Sequence, residues 1–499
     1  MAFLKENSQF PPSEWSFWMN KYQEWATWYS GEPENLRSYY SKLNTDIFNE
    51  MFWSKASKEG MSGAVHLPAA GDIATTSANL LFSESPKIVY DESKFSGERI
   101  KTFISENGFQ NTLLEGAEIA AAMSGCILKL DIEPDLVGVP VVSIVTPAQF
   151  FPTFWRGRLW EVLFFRVVKE TNEGLFYRLF ENRRREGRNC IIEYELYKGS
   201  VDKVGIKVDI NILEETSVLS LENIIYENID GLGCVYVPNM RPNKIVPGSS
   251  LGINDYSSSI TLLHSLDFTW TSWMRDLELG MAQIFIDEEL LTKNKSDING
   301  VESQMNRFSK YTKSFMKINL TAWKMSGDTG AKPIDNIQFD VRVDEHAKTC
   351  TELFAQIINQ CGYSTQTFGF GDSYGNAESG AAPRMRERKS QLTREKKSRY
   401  WKPVIIELLK QAQKIDQAAN LQKMYEIDES ITIELEDSIV IDSMETSEVI
   451  RNLEQARAIS TYAKVKMLHP DWEEADIKNE VSQINKESGI TGEVISDEV

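Results

Sequence analysis

The sequence predicts an α+β chain of several domains, and three observations predict it. Hydrophobic spacing is helical at first, then switches to a period of two from Ile127 to about Tyr236. Pro238, Pro242 and Pro247 break the chain, and helical spacing resumes after them. Two long helical runs then bracket a short mixed segment, and the remainder is mainly helical with one strand-like stretch. At 499 residues the chain is too long for one compact core, so two to four domains are expected.

In order along the chain, Trp15, Trp18, Tyr22, Trp25 and Tyr29 are spaced at three and four, one aromatic stripe on a helix. Packing on a core or a neighbouring subunit explains the stripe better than a membrane surface, because Glu14 and Glu24 interrupt it and no lysine-rich face accompanies it. AAGDIATTSANLLF (69–82) reads as a helix and SESPKIVY as an exposed strand. Gly108 separates two further helices, the second with small residues suited to close packing. ILKLDIE, VPVVSIVTP, WEVLFFRVV, GLFYRLFE and CIIEYELYK read as strands of an antiparallel meander, punctuated at Pro134, Gly138, Gly157, Gly174 and Gly187. Arg183, Arg184, Arg185 and Arg188 read as a solvated hairpin turn. Helical spacing is predicted over 251–280, short strands (AQIFID, FMKINL, IQFDVRV) between 281 and 342, and a second helix over 343–362. Beyond Pro403 come a helix, the strand-like SITIELEDSIVID, and helices through Gly489.

Composition narrows the function classes. Hydrophobic content of 41% and charged content of 25% are ordinary for a folded protein. A net charge of −19 argues against a protein that wraps nucleic acid in basic surface, although it leaves room for DNA that passes without being held. Cys126, Cys190, Cys234, Cys350 and Cys361 are scattered, form no CxxC pair and are expected to be reduced. The four histidines are dispersed, so neither a metal nor a cofactor is expected. The N-terminus carries no signal-peptide pattern and no apolar run reaches membrane-spanning length, so an intracellular protein without membrane contact is expected. Gly248-Ser249-Ser250-Leu251-Gly252 matches G-x-S-x-G, but Pro247 precedes it and no parallel-sheet pattern surrounds it. GFGDSYG lacks the lysine of a phosphate loop. No enzyme activity is expected.

Charge is concentrated in one place. The helix over 343–362 is followed by STQTFGFGDSYGNAES and then by GAAPRMRERKSQLTREKKSRYWK. Between Ser364 and Ala377 the loop has Asp372 and no lysine or arginine. Gly369, Gly371 and Gly375 give it freedom, and Phe368, Phe370 and Tyr374 give it bulk. The alternative is a plain flexible surface loop. In the helix that follows, Arg384, Arg386, Arg388, Lys389, Arg394, Lys396, Lys397, Arg399 and Lys402 fall all round the axis, with Met385 and Leu392 as a narrow apolar seam. Pro383 places the helix start between Ser379 and Pro383. From Pro403 onward there are 9 basic and 21 acidic residues, so a strongly acidic part follows the basic helix.

This order of parts resembles the portal proteins of tailed bacteriophages, in the branch of small portals typified by phages of Gram-positive hosts. Three stretches carry the resemblance beyond the order itself. Gly375-Asn376-Ala377-Glu378-Ser379-Gly380 is similar to the junction between tunnel loop and tunnel helix. Glu436-Asp437-Ser438-Ile439, with Asp442, resembles the start of the crown, and the closing helical pair around His469-Pro470 resembles the family's last two helices.

The resemblance implies a portal fold: an α/β wing at 1–250, a first stem helix at 251–280, a small α/β clip at 281–342 and a second stem helix at 343–362. It further implies a tunnel loop at 363–378, a tunnel helix returning to the wing at 379–415 and a mainly helical crown at 416–499. It implies a ring of about twelve subunits, or thirteen in isolation, as a conduit for double-stranded DNA at the unique vertex of the virion, assembled in the host cytoplasm. Implied partners are the terminase large subunit, a head-to-tail adaptor, and the major capsid and scaffolding proteins. Gln366, Phe368, Phe370, Asp372, Tyr374 and Asn376 would be the DNA-proximal loop residues. Arg384, Arg386, Arg388, Lys389, Arg394, Lys396 and Lys397 would pair with neighbouring subunits or meet DNA, with intersubunit pairing favoured. Trp270, Trp273, Leu353, Phe354 and Ile357 would be stem core. The other reading is an oligomeric head-tail connector or adaptor without DNA passage.

Overall fold

The computed structural model describes residues 3–43, 51–58, 63–132, 138–217, 223–279, 283–287, 315–318, 334–337, 342–369, 381–419, 425–435, 443–469, 472 and 474–487. The first part is helical: α1 (Ser13–Ser30), α2 (Pro33–Ser41), α3 (Phe52–Lys58), α4 (Ala69–Phe82), α5 (Phe95–Glu106) and α6 (Phe109–Met123), with β1 (Lys87–Val89) between α4 and α5. The aromatic stripe of α1 faces inward, with Tyr22 and Trp25 buried beside Trp28, and it packs on the core as its spacing predicts. α6 lies close against α4 because its inward face is Gly116, Ala117, Ala120 and Ala121. A Cβ at Gly116 would stand 3.3 Å from the Trp401 ring.

The period-two region forms two antiparallel sheets. β2 (Gly125–Asp131) lies between β3 (Val141–Val145) and β10 (Cys234–Pro238). The expected single meander is thereby divided: its first two strands are β2 and β3, while its last three are β5 (Arg158–Glu170), β6 (Phe176–Glu186) and β7 (Asn189–Gly199) of a second sheet. These are flanked by β4 (Phe150–Trp155) and β8 (Ile206–Val208), which the spacing did not single out, with β9 (Ile224–Tyr226) also on β7. Gly157, Gly174 and Gly187 supply the positive φ that the tight turns need. The short helix α7 (Glu214–Ser217) sits between β8 and β9.

The hairpin reading of the four arginines is corrected: Arg184 and Arg185 are half-buried on β6, and only Arg188 lies in the turn. Arg183 is also on β6 and is buried. Its Nε donates to Glu181 Oε1 at 2.6 Å, Nη1 to the carbonyls of Leu130 at 3.0 Å and Gly233 at 2.8 Å, and Nη2 to Asp131 Oδ1 at 2.6 Å. A guanidinium can be buried when its donors are used, and here it ties the meander to β2 and the turn before β10. Glu181 and Arg183 are two apart, so the pleat puts both on one face.

After β10, the helix predicted from residue 251 begins later. α8 spans Ile260–Leu279. Residues 251–259 are irregular because their backbone and side chains bond outward: Asp255 N to the Ala121 carbonyl at 3.0 Å, Asn239 Nδ2 to the Ile253 carbonyl at 2.9 Å. In the 281–342 segment, β11 (Gln283–Asp287) pairs in parallel with β12 (Phe315–Ile318) and antiparallel with β13 (Ile334–Ile337). α9 (Val343–Cys361) then returns along α8.

α10 (Ala381–Ala418) is a single helix of 38 residues that runs through Pro403. Pro403 is exposed, so the carbonyl it leaves unpaired faces the solvent side and the helix survives. The chain then pairs β14 (Thr432–Glu434) with β1, and Ile431 and Ile433 join the core containing Trp25, Trp53 and Trp401. Residues 425–435 therefore belong to the same packed body as the N-terminal part. α11 (Ser443–Gln455), α12 (Thr461–Leu468) and α13 (Glu474–Glu487) finish the chain, with His469 stacked on Trp472 at 4.0 Å between the last two.

Candidate functional site

The site is the place where α8, α9 and α10 meet around residues 362–369, the root of the expected 363–378 loop. α8 and α9 touch at both ends. Ser259, just before α8, donates to Gln360 Oε1 at 3.2 Å. At the other end Asp276 meets His346 Nε2 at 2.9 Å and Arg342 Nη2 at 3.0 Å, while Trp273 stacks on His346. His346 and then Arg342 hold the Asp276 carboxyl below the usual range. Phe354 and Ile357 are buried, and Trp270, Trp273 and Leu353 pack against the same core.

α9 ends at Gly362, whose φ of 92° is left-handed and turns the chain back toward α10. There the loop root is fastened to one stripe of the basic helix. Lys389 Nζ donates to the Asn359 carbonyl in the last turn of α9, where a cation complements the helix end. Ser390 Oγ accepts from Ser364 N at 2.9 Å and meets Thr367 Oγ1 at 2.8 Å. Thr393 Oγ1 donates to the Gly362 carbonyl at 2.6 Å. One turn on from Ser390, Arg394 Nε donates to the Leu80 carbonyl in the last turn of α4 at 2.6 Å.

Lys397 is the most deeply placed cation of the stripe, at 1% exposure. Its Nζ lies 2.8 and 2.6 Å from the two carboxylate oxygens of Asp255 and also bonds Ser77. Burial pushes the Lys397 pKa down, and the Asp255 carboxylate opposes that shift. Tyr363 completes the group, donating to Asp255 Oδ2 at 2.7 Å, and Asn239 Nδ2 donates to Oδ1 at 2.7 Å.

These contacts correct several expectations. Arg394 and Lys397 are inward-facing groups of their own subunit, not surface for a neighbour or for DNA, because Ser390, Arg394, Lys397 and Trp401 form the buried stripe at helical spacing. Leu392, expected on an apolar seam, is 55% exposed. Gln366 and Phe368 belong to the root of the loop: they lie in a 3-10 turn, Thr365–Phe368, and the Phe368 ring sits 6.2 Å from Tyr363 and 6.4 Å from Phe354. Phe370, Asp372, Tyr374 and Asn376 lie outside the described residues, as do the side chains of Arg384 and Arg386. Arg388, Lys389 and Lys396 are exposed, as is Arg399.

The participants sequence reasoning missed are Asp255, Ser77, Asn239 and Tyr363. The available signal was the stripe: 390, 394, 397 and 401 continue directly into the apolar 405, 408, 412 and 415. The Gly-x-Ser-x-Gly run sits in an irregular loop, with Gly252 there for close approach, since a Cβ would lie 2.2 Å from the Ser124 carbonyl. Among the described residues no group of three or more histidine, cysteine or carboxylate side chains is arranged to hold a metal, and no helix is long and apolar enough to cross a membrane. All five cysteines are buried and unpaired.

Among solved structures, the chain is similar to the neck of an empty GTA particle computed with C6 symmetry: TM-score 0.39, 9% identity, 86% of this chain and 96% of that chain covered. It is also similar to the neck of a native GTA particle computed with C12 symmetry: TM-score 0.37, 10% identity, 83% and 93% covered. No curated protein matches the sequence. The family model "Phage portal protein, SPP1 Gp6-like" matches residues 19–490, from the aromatic stripe of α1 to just beyond α13, and on that span the chain belongs to the SPP1 Gp6-like phage portal proteins.

Proposed function

We propose that this protein is a non-enzymatic portal: a ring through which double-stranded DNA is packaged and later released, with the 363–378 loop nearest the DNA. The observation that carries the reading is the family match over residues 19–490. The chemistry of the chain supports it. A conduit must pass phosphates without gripping them, since every lysine or arginine bound to phosphate adds affinity and salt dependence that would brake translocation. A net charge of −19 and a loop with no cation between Ser364 and Ala377 meet that need. Two of the basic groups on α10, Arg394 and Lys397, are turned inward and withdrawn from DNA. The exposed cations Arg388, Lys396 and Arg399 are left for a neighbouring subunit of the ring. The 281–342 segment would dock the terminase large subunit and later the adaptor.

The test is the mass and symmetry of the purified full chain, by light scattering and single-particle imaging. A ring of about twelve subunits with an axial channel wide enough for duplex DNA is expected. A closed oligomer without a channel would overturn the portal reading in favour of a connector that does not conduct DNA. In heads, Phe370→Lys with Tyr374→Lys should leave assembly intact and reduce DNA packaging or retention; a connector without DNA passage would package normally.

A further inference from the structure

We propose that Lys397, Asp255 and Tyr363 form a positioning node, a buried ion pair with a tyrosine clasp that holds the root of the 363–378 loop in one place relative to both stem helices. The inference rests on the portal reading and adds residues to it.

The first argument is convergence. Asp255 lies five residues before α8, Tyr363 two residues after α9, and Lys397 midway along α10. Ser77 of α4 and Asn239 at the end of β10 complete the shell. The beginning of the first stem helix, the end of the second and the basic helix therefore meet at one carboxylate. The second argument is saturation. The Asp255 oxygens accept from Lys397, Tyr363 and Asn239, and the ammonium group donates to both oxygens and to Ser77. Three donors on a tetrahedral head leave one arrangement that satisfies all of them.

The third argument is what the pair is poor at. A buried ion pair roughly breaks even against well-packed apolar side chains, so adhesion alone does not explain it. The same stripe uses Ile405, Leu408 and Ile415 where only adhesion is required. Apolar contacts tolerate sliding and rotation, whereas a saturated charge pair fixes register. The node sits where register matters. Gly362 and Ser364, on either side of Tyr363, are bonded to Thr393 and Ser390, so any shift of Tyr363 on α10 moves the whole root of the loop.

The experiment uses full-length protein carrying Ser373→Cys in the loop, labelled with a nitroxide; the five native thiols are buried. Intersubunit distances in assembled rings are read by pulsed electron resonance, with Glu170→Cys as a control site. Asp255→Asn with Lys397→Gln removes both charges at nearly constant volume. The expected result is rings of unchanged mass, an unchanged distance distribution at the control site, and a distribution at 373 broadened by about twofold or more. Rings in which the 373 distribution is unchanged would overturn the proposal. If the double variant fails to assemble, Tyr363→Phe decides, because it removes one hydroxyl and leaves the charges paired. Broadening at 373 in rings of unchanged mass, with the control site unchanged, supports the node, and no broadening overturns it. A wild-type oligomer lacking a DNA-wide channel would sink the portal reading instead, independently of the label distances.

Discussion

Two faces of α10 carry the same kinds of side chain and meet opposite surroundings. On the inward face, Arg394 donates to the end of α4 and Lys397 is enclosed with Asp255. On the outward face, Arg388, Lys396 and Arg399 stand in solvent, and none forms an ion pair among the described residues. Lys396 and Lys397 are adjacent in sequence, yet one is exposed and the other is 1% exposed. The difference teaches that charge in this segment is not one feature. A helix turns about 100° per residue, so neighbours in sequence belong to different environments. A cation that lands on the buried stripe must find its full set of partners, and one that lands outside it remains available to another molecule.

The largest expected effect comes from breaking the inward pair on one side. Lys397→Met leaves the Asp255 carboxylate buried without its cation and should cost roughly 3–5 kcal/mol, read as a lower denaturant midpoint. Lys396→Met is the matched control; a comparable loss there would break the contrast between the faces. Trp401→Ala, four residues along the same stripe, should cost about 3–5 kcal/mol by opening a cavity. That test asks whether the polar and apolar halves of the stripe are equally committed to the fold.

The next effect concerns a buried titratable group that has no acid to pair with among the described residues. His264 on α8 lies edge-on between the Trp28 and Tyr40 rings, and burial, then nearby His66, lowers its pKa from 6.5 to about 3. The unfolded chain therefore takes up this proton before the folded one does. Its contribution is fully present above pH 6.5 and is lost as pH falls from 6.5 toward 3, by roughly tenfold in the folding equilibrium per pH unit. Midpoints measured between pH 7 and 5 should show this slope in the wild type and lack it in His264→Phe. An identical slope in both would place the proton elsewhere. The contrast with Lys397 is direct: with a carboxylate in contact the buried base is stabilised in its charged form, and without one it stays neutral.

The smallest effect on stability belongs to the outward face. Replacing Arg388, Lys396 and Arg399 with glutamine should change the subunit's stability by no more than about 0.5 kcal/mol per site. Ring assembly should nevertheless become weaker, as read by the concentration at which light scattering detects dissociation. If assembly is untouched, this face does not meet a neighbouring subunit.

Much of the architecture was legible because periodicity reports burial. The aromatic stripe of α1, the antiparallel run from β5 to β7 and the helix at Val343–Cys361 all follow from apolar spacing and turn residues. The turn-setting glycines at 157, 174 and 187 were visible for the same reason. Polar burial was not. Arg183 and Lys397 read as surface because they are charged, and charged residues are buried only where partners distant in sequence complete them. For Lys397 the partners are Ser77 and Asp255, 320 and 142 residues away, and for Arg183 they include Gly233. The start of α8 was placed too early for a related reason: Leu251–Ser259 has helical-looking composition, but its polar groups are claimed by Asn239, Ala121 and Lys397.

Sequence by itself determined the succession of helical and strand-rich regions, the separation of a basic helix from an acidic C-terminal part, and the family, since all of these are carried by local pattern along one line. Tertiary structure alone decided which cations are structural and which are available, and where the root of the loop is pinned. The physical reason is that burying a charge is favourable only when several donors and acceptors converge on it, and convergence is a property of the folded chain in three dimensions.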